Sequence, residues 1–236
     1  MSEKIPRRPI RGLIVDVDGT LTTGARRLNF ETAKILRELD QNGLPVIMAT
    51  GNVLPIALAL HRFIGFHAPI IAENGGLVYF SEEKVVHLAS REVALRAYEE
   101  LRKHVDVRRL FTDRWRETEV ALEPSHGVEE LLPWVEKLGV RVENTGFAIH
   151  LFEPSAGKLP AARMALKSLG FDVEDCLVAG DGDNDVELLE NASVGVSFPA
   201  ALPSAKKAAD YVTKNSDGEG LIEALEHFGI LKIDRS

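Results

Sequence analysis

Aspartates in two short clusters are the side chains of this sequence best suited to chemistry. Asp16 and Asp18 stand two residues apart at the end of an apolar run, and Asp181, Asp183 and Asp185 lie within a second short segment. Two carboxylates about 4 Å apart repel by about 4 kcal/mol at an effective dielectric constant of about 20, so a cation or a shared proton must offset the repulsion. Clusters of oxygen ligands suit hard cations, Mg²⁺ above all. Taken singly, Asp18 could simply form a turn with the glycine after it, and Asp185 could cap a helix.

Three further residues could hold an anion beside these carboxylates. Thr50 and Gly51 precede a predicted helix, where a hydroxyl and free backbone N–H groups can bind a phosphate oxygen. Ordinary capping by Thr50 or Asn52 is the simpler interpretation of that segment alone. Lys158 opens another predicted helix, ahead of Pro160, where the helix dipole disfavours a cation. A solvated surface lysine is the alternative, but opposite an aspartate cluster and a bound phosphate the position would be favourable.

Short apolar runs alternate with amphipathic stretches in the first and last thirds of the chain. These patterns predict strands and helices that follow one another at the spacing of a parallel sheet with helices on its faces. The predicted strands are 13–17, 45–49, 69–72, 176–179 and 194–198, and the predicted helices are one capped by Asn29 and ended by Asn42-Gly43, 53–64, 161–169, one from Asp185 and 221–228. Ligands of such sheets bind beyond the carboxyl ends of the strands. We therefore expect the aspartates, Thr50 and Lys158 to converge on one sheet edge.

The middle of the chain has a different pattern, with helices 92–104 and 128–138 and strands 119–122, 140–143 and 147–152. Runs of this kind fit an α+β module better than a continued alternation. We expect an α/β protein with a doubly wound, parallel-sheet (Rossmann-like) core formed by residues 1–82 and 155–236. An α+β cap domain, residues 83–154, would be inserted into it.

Composition restricts the classes of function. The 236-residue chain is 45% hydrophobic and carries a formal net charge of -8, which argues against nucleic-acid binding. A single cysteine, Cys176, cannot form an internal disulfide, and the short apolar run after the basic N-terminus does not fit a signal peptide. We expect a cytoplasmic protein with no membrane partner. The sequence is compatible with a homodimer.

The four polar segments together resemble the motifs of the haloacid dehalogenase superfamily, in the same order. The segments are Asp-Val-Asp-Gly-Thr (16–20), a strand ending in Thr50-Gly51, Lys158 before a helix, and Gly-Asp-Gly-Asp-Asn-Asp (180–185). The resemblance implies that Asp16 attacks phosphorus to give an aspartyl-phosphate, and that Asp18 protonates the leaving oxygen and then activates water. It implies that Thr50, Gly51 and Lys158 hold the phosphoryl group. It also implies a Mg²⁺ site formed by Asp16, Asp18, Asp181 and Asp185, with Asp18 contributing its backbone carbonyl.

The inserted segment resembles the cap of the superfamily's Cof-like sugar phosphatases. Within that branch, Glu-Asn-Gly-Gly (73–76) and Asp-Arg-Trp-Arg-Glu (113–117) look most like archaeal phosphoglycolate phosphatases. The resemblance implies hydrolysis of a small phosphorylated metabolite, 2-phosphoglycolate, to glycolate and phosphate. A sugar phosphate or mannosyl-3-phosphoglycerate is an alternative substrate, and a phosphoacceptor signalling module is a remoter alternative. Arg114, Arg116 and His150 are the candidate cap residues for specificity, with surface ion pairs to Glu117 or Glu119 as the competing explanation for the arginines.

Overall fold

The computed structural model describes residues 5–23, 26–145 and 147–231. The ends of the predicted core segments, residues 1–4 and 232–236, lie outside these ranges. The strands of the described part are β1 (Gly12–Val15), β2 (Val46–Ala49), β3 (Ile70–Ala72), β4 (Leu77–Ser81), β5 (Lys84–His87), β6 (Val120–Leu122), β7 (Arg141–Asn144), β8 (Ile149–Phe152), β9 (Cys176–Ala179), β10 (Val194–Ser197) and β11 (Tyr211–Val212). The α-helices are α1 (Phe30–Gln41), α2 (Leu54–Ile64), α3 (Arg91–Leu101), α4 (Val128–Val135), α5 (Lys158–Lys167), α6 (Val186–Asn191), α7 (Pro203–Ala208) and α8 (Asp217–His227).

The larger sheet has the strand order β11-β10-β9-β1-β2-β3-β4-β5. Its first six strands pair in parallel, and β4 and β5 continue it as antiparallel strands. Strand β1, with the sequence Gly-Leu-Ile-Val, lies between β2 and β9 and is buried along its whole length, as its unbroken apolar run predicts. The α/β fold with a parallel-sheet core is confirmed.

Local sequence signals explain where the first two helices begin and end. The Asn29 side chain accepts a hydrogen bond from the backbone N–H of Thr32 and so caps α1. Helix α2 carries Pro55 in its first turn and ends at Gly65, which adopts a left-handed conformation with φ 95°. Helix α2 begins at Leu54, soon after Thr50 and Gly51, and its start therefore fixes the direction of the backbone at that strand end.

A smaller antiparallel sheet, in the order β6-β8-β7, forms the second packing unit together with α3 and α4. It has its own cluster of buried apolar side chains, separate from that of the large sheet. These two clusters support the predicted division into a core and an inserted cap, which stays a prediction. Because β5 (Lys84–His87) pairs within the large sheet, we propose that the cap begins after this strand and not at residue 83.

Several elements differ from the sequence-based expectation. Strand β1 ends at Val15, α5 begins at Lys158 and α8 begins at Asp217. Strands β4, β5 and β11 and helix α7 lie outside the predicted elements. Among the described residues, no helix combines the length and apolar character needed to cross a bilayer.

Candidate active site

The candidate site lies at the carboxyl edge of the large sheet, where the central strands end. Asp16 follows β1 directly, Thr50 follows β2, and Asp181 comes two residues after the end of β9. Lys158 is the first residue of α5, and Asp185 immediately precedes α6. The parallel topology thus brings these five separate positions to one place, as the strand-end rule predicts.

Three aspartates form a compact acidic group. Carboxylate oxygens of Asp16, Asp181 and Asp185 all lie within 4.8 Å of one another. Asp16 and Asp185 are buried, and Asp181 is half-buried. Three converging hard oxygen donors with little access to solvent are the kind of set that binds Mg²⁺, so the residues present fit that ion.

Lys158 neutralises part of this charge. Its Nζ donates to Asp16 Oδ1 at 2.6 Å and to Asp185 Oδ1 at 2.7 Å. Its side chain has no exposed surface, so the alternative of a solvated surface lysine is wrong. A buried lysine remains charged only where anions surround it, and here two carboxylates do so directly.

The pKa shifts of Asp16 and Asp181 indicate that one lysine does not neutralise the acidic group. Burial raises the pKa of Asp16 well above its usual value, Lys158 opposes this shift, and Asp185 and Asp181 add to it. Burial and the neighbouring Asp185 raise the pKa of Asp181 to about 7. Burial alone would lower the pKa of Lys158, but Asp16 and Asp185 offset this and raise it. These carboxyl groups therefore favour protonation without a cation, and a divalent cation would stabilise their ionised forms.

The loop between β9 and α6 is folded around Asp185. Its Oδ2 accepts hydrogen bonds from the backbone N–H groups of Asp181, at 3.2 Å, and Gly182, at 3.1 Å. Its Oδ1 faces Lys158. Asp185 thus organises the loop backbone through one oxygen and takes part in the acidic group through the other.

The segment after β2 carries a buried hydroxyl and contacts Asp18 through Asn52. Thr50 is buried, and its Oγ1 accepts hydrogen bonds from both the backbone N–H and the Nδ2 of Asn52. Because the Thr50 oxygen is occupied as an acceptor, its own O–H can donate to a phosphate oxygen. Asn52 Nδ2 also donates to Asp18 Oδ2 at 2.6 Å. Helix α2 begins after Val53 without a side-chain cap, so neither Thr50 nor Asn52 caps it.

The cap residues Thr145 and Phe147 lie above the acidic group. The pocket at the site is lined by Asp16, Asp18, Gly51, Thr145, Phe147, Asp181, Gly182 and Asn184. Both structural units therefore contribute to its walls.

A buried polar network joins the cap to the core next to this pocket. Glu73, in the turn after β3, accepts from the backbone N–H and the hydroxyl of Thr118. Asn74 donates through Nδ2 to Glu119 Oε2 at 2.9 Å, and its Oδ1 accepts from Asn184 Nδ2 at 2.9 Å. One asparagine thus links the cap to the acidic loop, and both Glu73 and Asn74 hold positive φ angles that place their side chains there.

The three cap candidates lie in different surroundings. Arg114 is exposed, and its guanidinium stacks over Phe111 at 4.3 Å. Arg116 is buried, pairs with Glu119 and donates from Nη1 to the carbonyl of Gly51 at 2.9 Å. Burial lowers the pKa of Arg116 to about 10, which still leaves it charged at neutral pH. The ion-pair explanation therefore holds for Arg116, although the pair is buried and not on the surface.

His150 lies inside the cap with no exposed surface. Its Nδ1 is 3.0 Å from Glu119 Oε1, and its Nε2 is 3.2 Å from Thr145 Oγ1. Burial lowers its pKa well below the usual range, and Arg116 and Lys158 lower it further. A neutral imidazole that donates to Glu119 and accepts from Thr145 fits these contacts. His150 supports a pocket-lining residue and does not line the pocket itself.

Sequence reasoning missed the roles of several polar residues at the site. The contact of Asn52 with Asp18 and the bridge formed by Asn74 join segments far apart in the chain. The run Asn74-Gly75-Gly76 is typical of a turn, but nothing in it identifies the partners of Asn74. Thr145 and Phe147 carry no local signal, because their position depends on how the cap packs on the core.

Comparisons with known proteins agree with this geometry. The chain matches the model of the haloacid dehalogenase-like hydrolase family over residues 13–115 and 126–225. It is 38% identical over 219 residues to a phosphoglycolate phosphatase of Methanothermobacter thermautotrophicus, covering 93% of this chain and 99% of the relative. A phosphoglycolate phosphatase of Archaeoglobus fulgidus is 34% identical over 223 residues, covering 94% of this chain and 98% of the relative.

Solved structures give the same picture. A crystal structure of a Thermoplasma acidophilum protein superposes with a TM-score of 0.87 at 27% identity, covering 95% of this chain and all of the other. A haloacid dehalogenase-like hydrolase from Bacteroides thetaiotaomicron, with a TM-score of 0.73 at 21% identity over 92% of this chain and 98% of the other, supports the fold alone. The resemblance to the Cof-like branch and to archaeal phosphoglycolate phosphatases is confirmed. The chain belongs to the haloacid dehalogenase-like hydrolase family and is a phosphomonoester hydrolase.

Proposed function

We propose that this enzyme is a Mg²⁺-dependent 2-phosphoglycolate phosphatase that works through an aspartyl-phosphate on Asp16. The observation that carries the proposal is the buried acidic group of Asp16, Asp181 and Asp185, bound to Lys158 at the carboxyl edge of the sheet. Such a group has a nucleophile, a cation and hard-ion ligands within contact of one another.

The first chemical step needs a carboxylate oxygen that can reach phosphorus. Asp16 is fixed through its backbone N–H, which donates to the Ala179 carbonyl at 3.0 Å, and through its Oδ1, which faces Lys158. In the proposed step the Asp16 carboxylate forms a bond to phosphorus while the bond from phosphorus to the ester oxygen breaks. Asp18 gives that oxygen its proton.

The second step returns the enzyme to its starting state. Asp18 removes a proton from water, the resulting hydroxide attacks phosphorus, and the bond from phosphorus to Asp16 breaks to release phosphate. Asp18 suits both proton transfers because it is only half-buried, next to the pocket, whereas Asp16 is almost fully enclosed. The contact from Asn52 Nδ2 holds the Asp18 carboxyl in place.

Charge neutralisation is shared between this chain and the ion. Thr50, Gly51 and Lys158 would hold the phosphoryl oxygens through a hydroxyl, a backbone N–H and an ammonium group. Asp16, Asp181 and Asp185 would hold Mg²⁺ through side-chain oxygens, and Asp18 through its backbone carbonyl. The ion, when bound, supplies a Lewis acid that offsets the repulsion between the Asp16 carboxylate and the phosphate dianion.

The substrate assignment is supported by the named relatives, which cover most of this chain and are phosphoglycolate phosphatases. The cap is the part of the enzyme that can discriminate among leaving groups, since the strand-end residues contact only phosphate and metal. Thr145 and Phe147 close over the acidic group and leave little space beside Asp18. A small leaving group such as glycolate fits this enclosure better than a hexose.

Phosphate release from a panel of substrates tests the proposal. The panel contains 2-phosphoglycolate, glucose 6-phosphate, mannosyl-3-phosphoglycerate and an aryl phosphate, each with Mg²⁺ or with excess chelator. We expect 2-phosphoglycolate to have the highest kcat/KM and chelator to abolish turnover. Asp185→Asn should be inactive, whereas Asp183→Asn, an exposed position in the same loop, should stay active. Full activity in chelator would exclude the metal assignment, and preference for a sugar phosphate would exclude the substrate.

A further inference from the structure

We propose that Arg26 binds the carboxylate of the substrate and so determines specificity for a phosphorylated acid. The inference rests on the proposed function. It assigns a specificity role to the loop that follows the nucleophile strand, in the core, and not to Arg114 or Arg116 of the cap.

Arg26 lies in the segment between Leu21 and α1. Thr22 and Leu28 pair as an isolated antiparallel bridge, and the Arg26 backbone N–H donates to the Thr23 carbonyl at 2.7 Å. Arg26 itself has φ 57°, a left-handed conformation that is uncommon for a residue with a side chain. Such conformations persist where the surrounding structure requires them, and they concentrate at functional sites.

The guanidinium of Arg26 lies between the catalytic core and the cap. Its Nε is 3.6 Å from Asp18 Oδ1, and its Cζ lies 4.2 Å from the centroid of the Phe147 ring. Asp18 and Phe147 both line the pocket. The Arg26 side chain is 54% exposed and lies beside these two lining residues, with part of its donor fork facing solvent. A ring face beneath a guanidinium also restricts its motion.

The chemistry of the substrate points to this position. In 2-phosphoglycolate a single methylene separates the ester oxygen from the carboxylate carbon. Asp18 must approach the ester oxygen to protonate it, so the carboxylate lies within one methylene of the Asp18 carboxyl. Arg26 is the cation in contact with Asp18 in the described structure. A guanidinium also matches the planar geometry of a carboxylate, which it can bind through two parallel hydrogen bonds.

The other cations near the pocket are less suited to this role. Lys158 is enclosed between Asp16 and Asp185, on the side where the phosphoryl group binds. Arg116 is buried with Glu119 and donates to the Gly51 carbonyl, and Arg114 stacks on Phe111. The distance of 3.6 Å between Arg26 Nε and Asp18 Oδ1 is longer than a hydrogen bond, so the guanidinium can donate to an arriving substrate carboxylate instead.

The experiment compares 2-phosphoglycolate with 2-hydroxyethyl phosphate, which has the same ester linkage but a hydroxyl in place of the carboxylate. Arg26→Ala should lower kcat/KM for 2-phosphoglycolate by roughly ten- to a hundredfold, because one charge-assisted contact with the substrate is lost. It should change kcat/KM for 2-hydroxyethyl phosphate by less than about threefold, since no comparable contact is lost. Arg26→Lys should be intermediate, because a point charge replaces the planar fork. Arg27→Ala, the exposed neighbour, is the matched control and should retain the wild-type preference.

Comparing the two substrates distinguishes failure of the inference about Arg26 from failure of the proposed function. Equal losses on both substrates in Arg26→Ala would mean that Arg26 acts through Asp18, which would overturn the inference. An unchanged preference for 2-phosphoglycolate in Arg26→Ala would overturn it too, while leaving the proposed function in place. A wild-type enzyme that does not prefer 2-phosphoglycolate to 2-hydroxyethyl phosphate would refute both.

Discussion

Replacing Lys158 by methionine tests whether the acidic group depends on a buried cation. The side chain is fully enclosed and contacts Asp16 and Asp185 at 2.6 and 2.7 Å. Methionine keeps most of the volume and the apolar stem but removes the ammonium group. The two carboxylates then face each other, together with Asp181, without a protein cation.

The size of the effect follows from these contacts. One unit-charge pair about 4 Å apart is worth about 4 kcal/mol at an effective dielectric constant of about 20. Removing one partner of a buried ion pair costs about 3–5 kcal/mol, because the remaining charge stays desolvated. Burial already raises the pKa of Asp16 and of Asp181, so these carboxyls can take up protons and soften the loss. We therefore expect the metal-free variant to lose about 3 kcal/mol of unfolding free energy, near the low end of that range.

Urea unfolding in chelator, followed by circular dichroism, measures this loss. Adding Mg²⁺ should restore more stability to Lys158→Met than to the wild type, because the ion then meets three unneutralised carboxylates. Turnover should be lost, since the variant lacks a phosphate ligand. Lys167→Met is the matched control, because Lys167 is exposed at the other end of α5. A Lys158→Met protein with wild-type stability and turnover would refute the electrostatic account of the site.

Three further predictions concern proton transfer, pH and backbone fit. Asp18→Asn should retain nucleophilic attack but lose proton transfer, so rapid quenching should detect phosphoenzyme alongside a severe fall in turnover. The lowered pKa of buried His150 means that the unfolded chain binds its proton first as pH falls below about 6.5. Because of this residue, the free energy of unfolding of the wild type should be lower at pH 5.5 than at neutral pH by up to about 1.4 kcal/mol. Urea unfolding of His150→Gln at the two pH values should not show this part of the decrease. Gly75→Ala should lower the free energy of unfolding, measured in urea, by more than about 2 kcal/mol, because its Cβ would overlap the Gly157 carbonyl beside Lys158. Gly139→Ala, whose Cβ would meet open space, should lose only about 1–2 kcal/mol, the cost of a left-handed conformation for a residue with a side chain.

The convergence of Asp16, Thr50 and Asp181 could be predicted because it depends on topology alone. Parallel strands place their carboxyl ends at one edge whatever the details of packing. Lys158 could likewise be placed at a helix start from its neighbours. Its burial could not be predicted, because burial depends on how α5 packs against the loop between β9 and α6. No local sequence pattern indicates that packing.

The surroundings of the two cap arginines could not be predicted from the sequence. Residues Phe111–Trp115 form a 3₁₀ turn that separates the surroundings of Arg114 and Arg116. Arg114, inside that turn, faces solvent, whereas Arg116, directly after it, enters the buried network with Glu119. Hydrophobic periodicity cannot detect such a turn, since it is short and carries no regular apolar stripe.

The contact of Arg26 with Phe147 could not be predicted for a related reason. The two residues belong to different structural units and lie far apart in the chain. Only the placement of the cap over the core brings them together. Composition and spacing predict the candidate catalytic residues at the strand ends, whereas the residues around the proposed leaving-group position can be found only from the three-dimensional structure.

The most direct test of the central claim is to identify the residue that carries the phosphoryl group during turnover. Wild-type enzyme is mixed with radiolabelled substrate and Mg²⁺, quenched in acid within the first turnover, reduced with borohydride and digested for peptide sequencing by mass spectrometry. Borohydride converts an aspartyl-phosphate to homoserine, so we predict homoserine at position 16 in the wild type and unmodified Asn in a folded Asp16→Asn control. A label on any other residue, or steady turnover by Asp16→Asn, would contradict the assignment of Asp16 as the nucleophile.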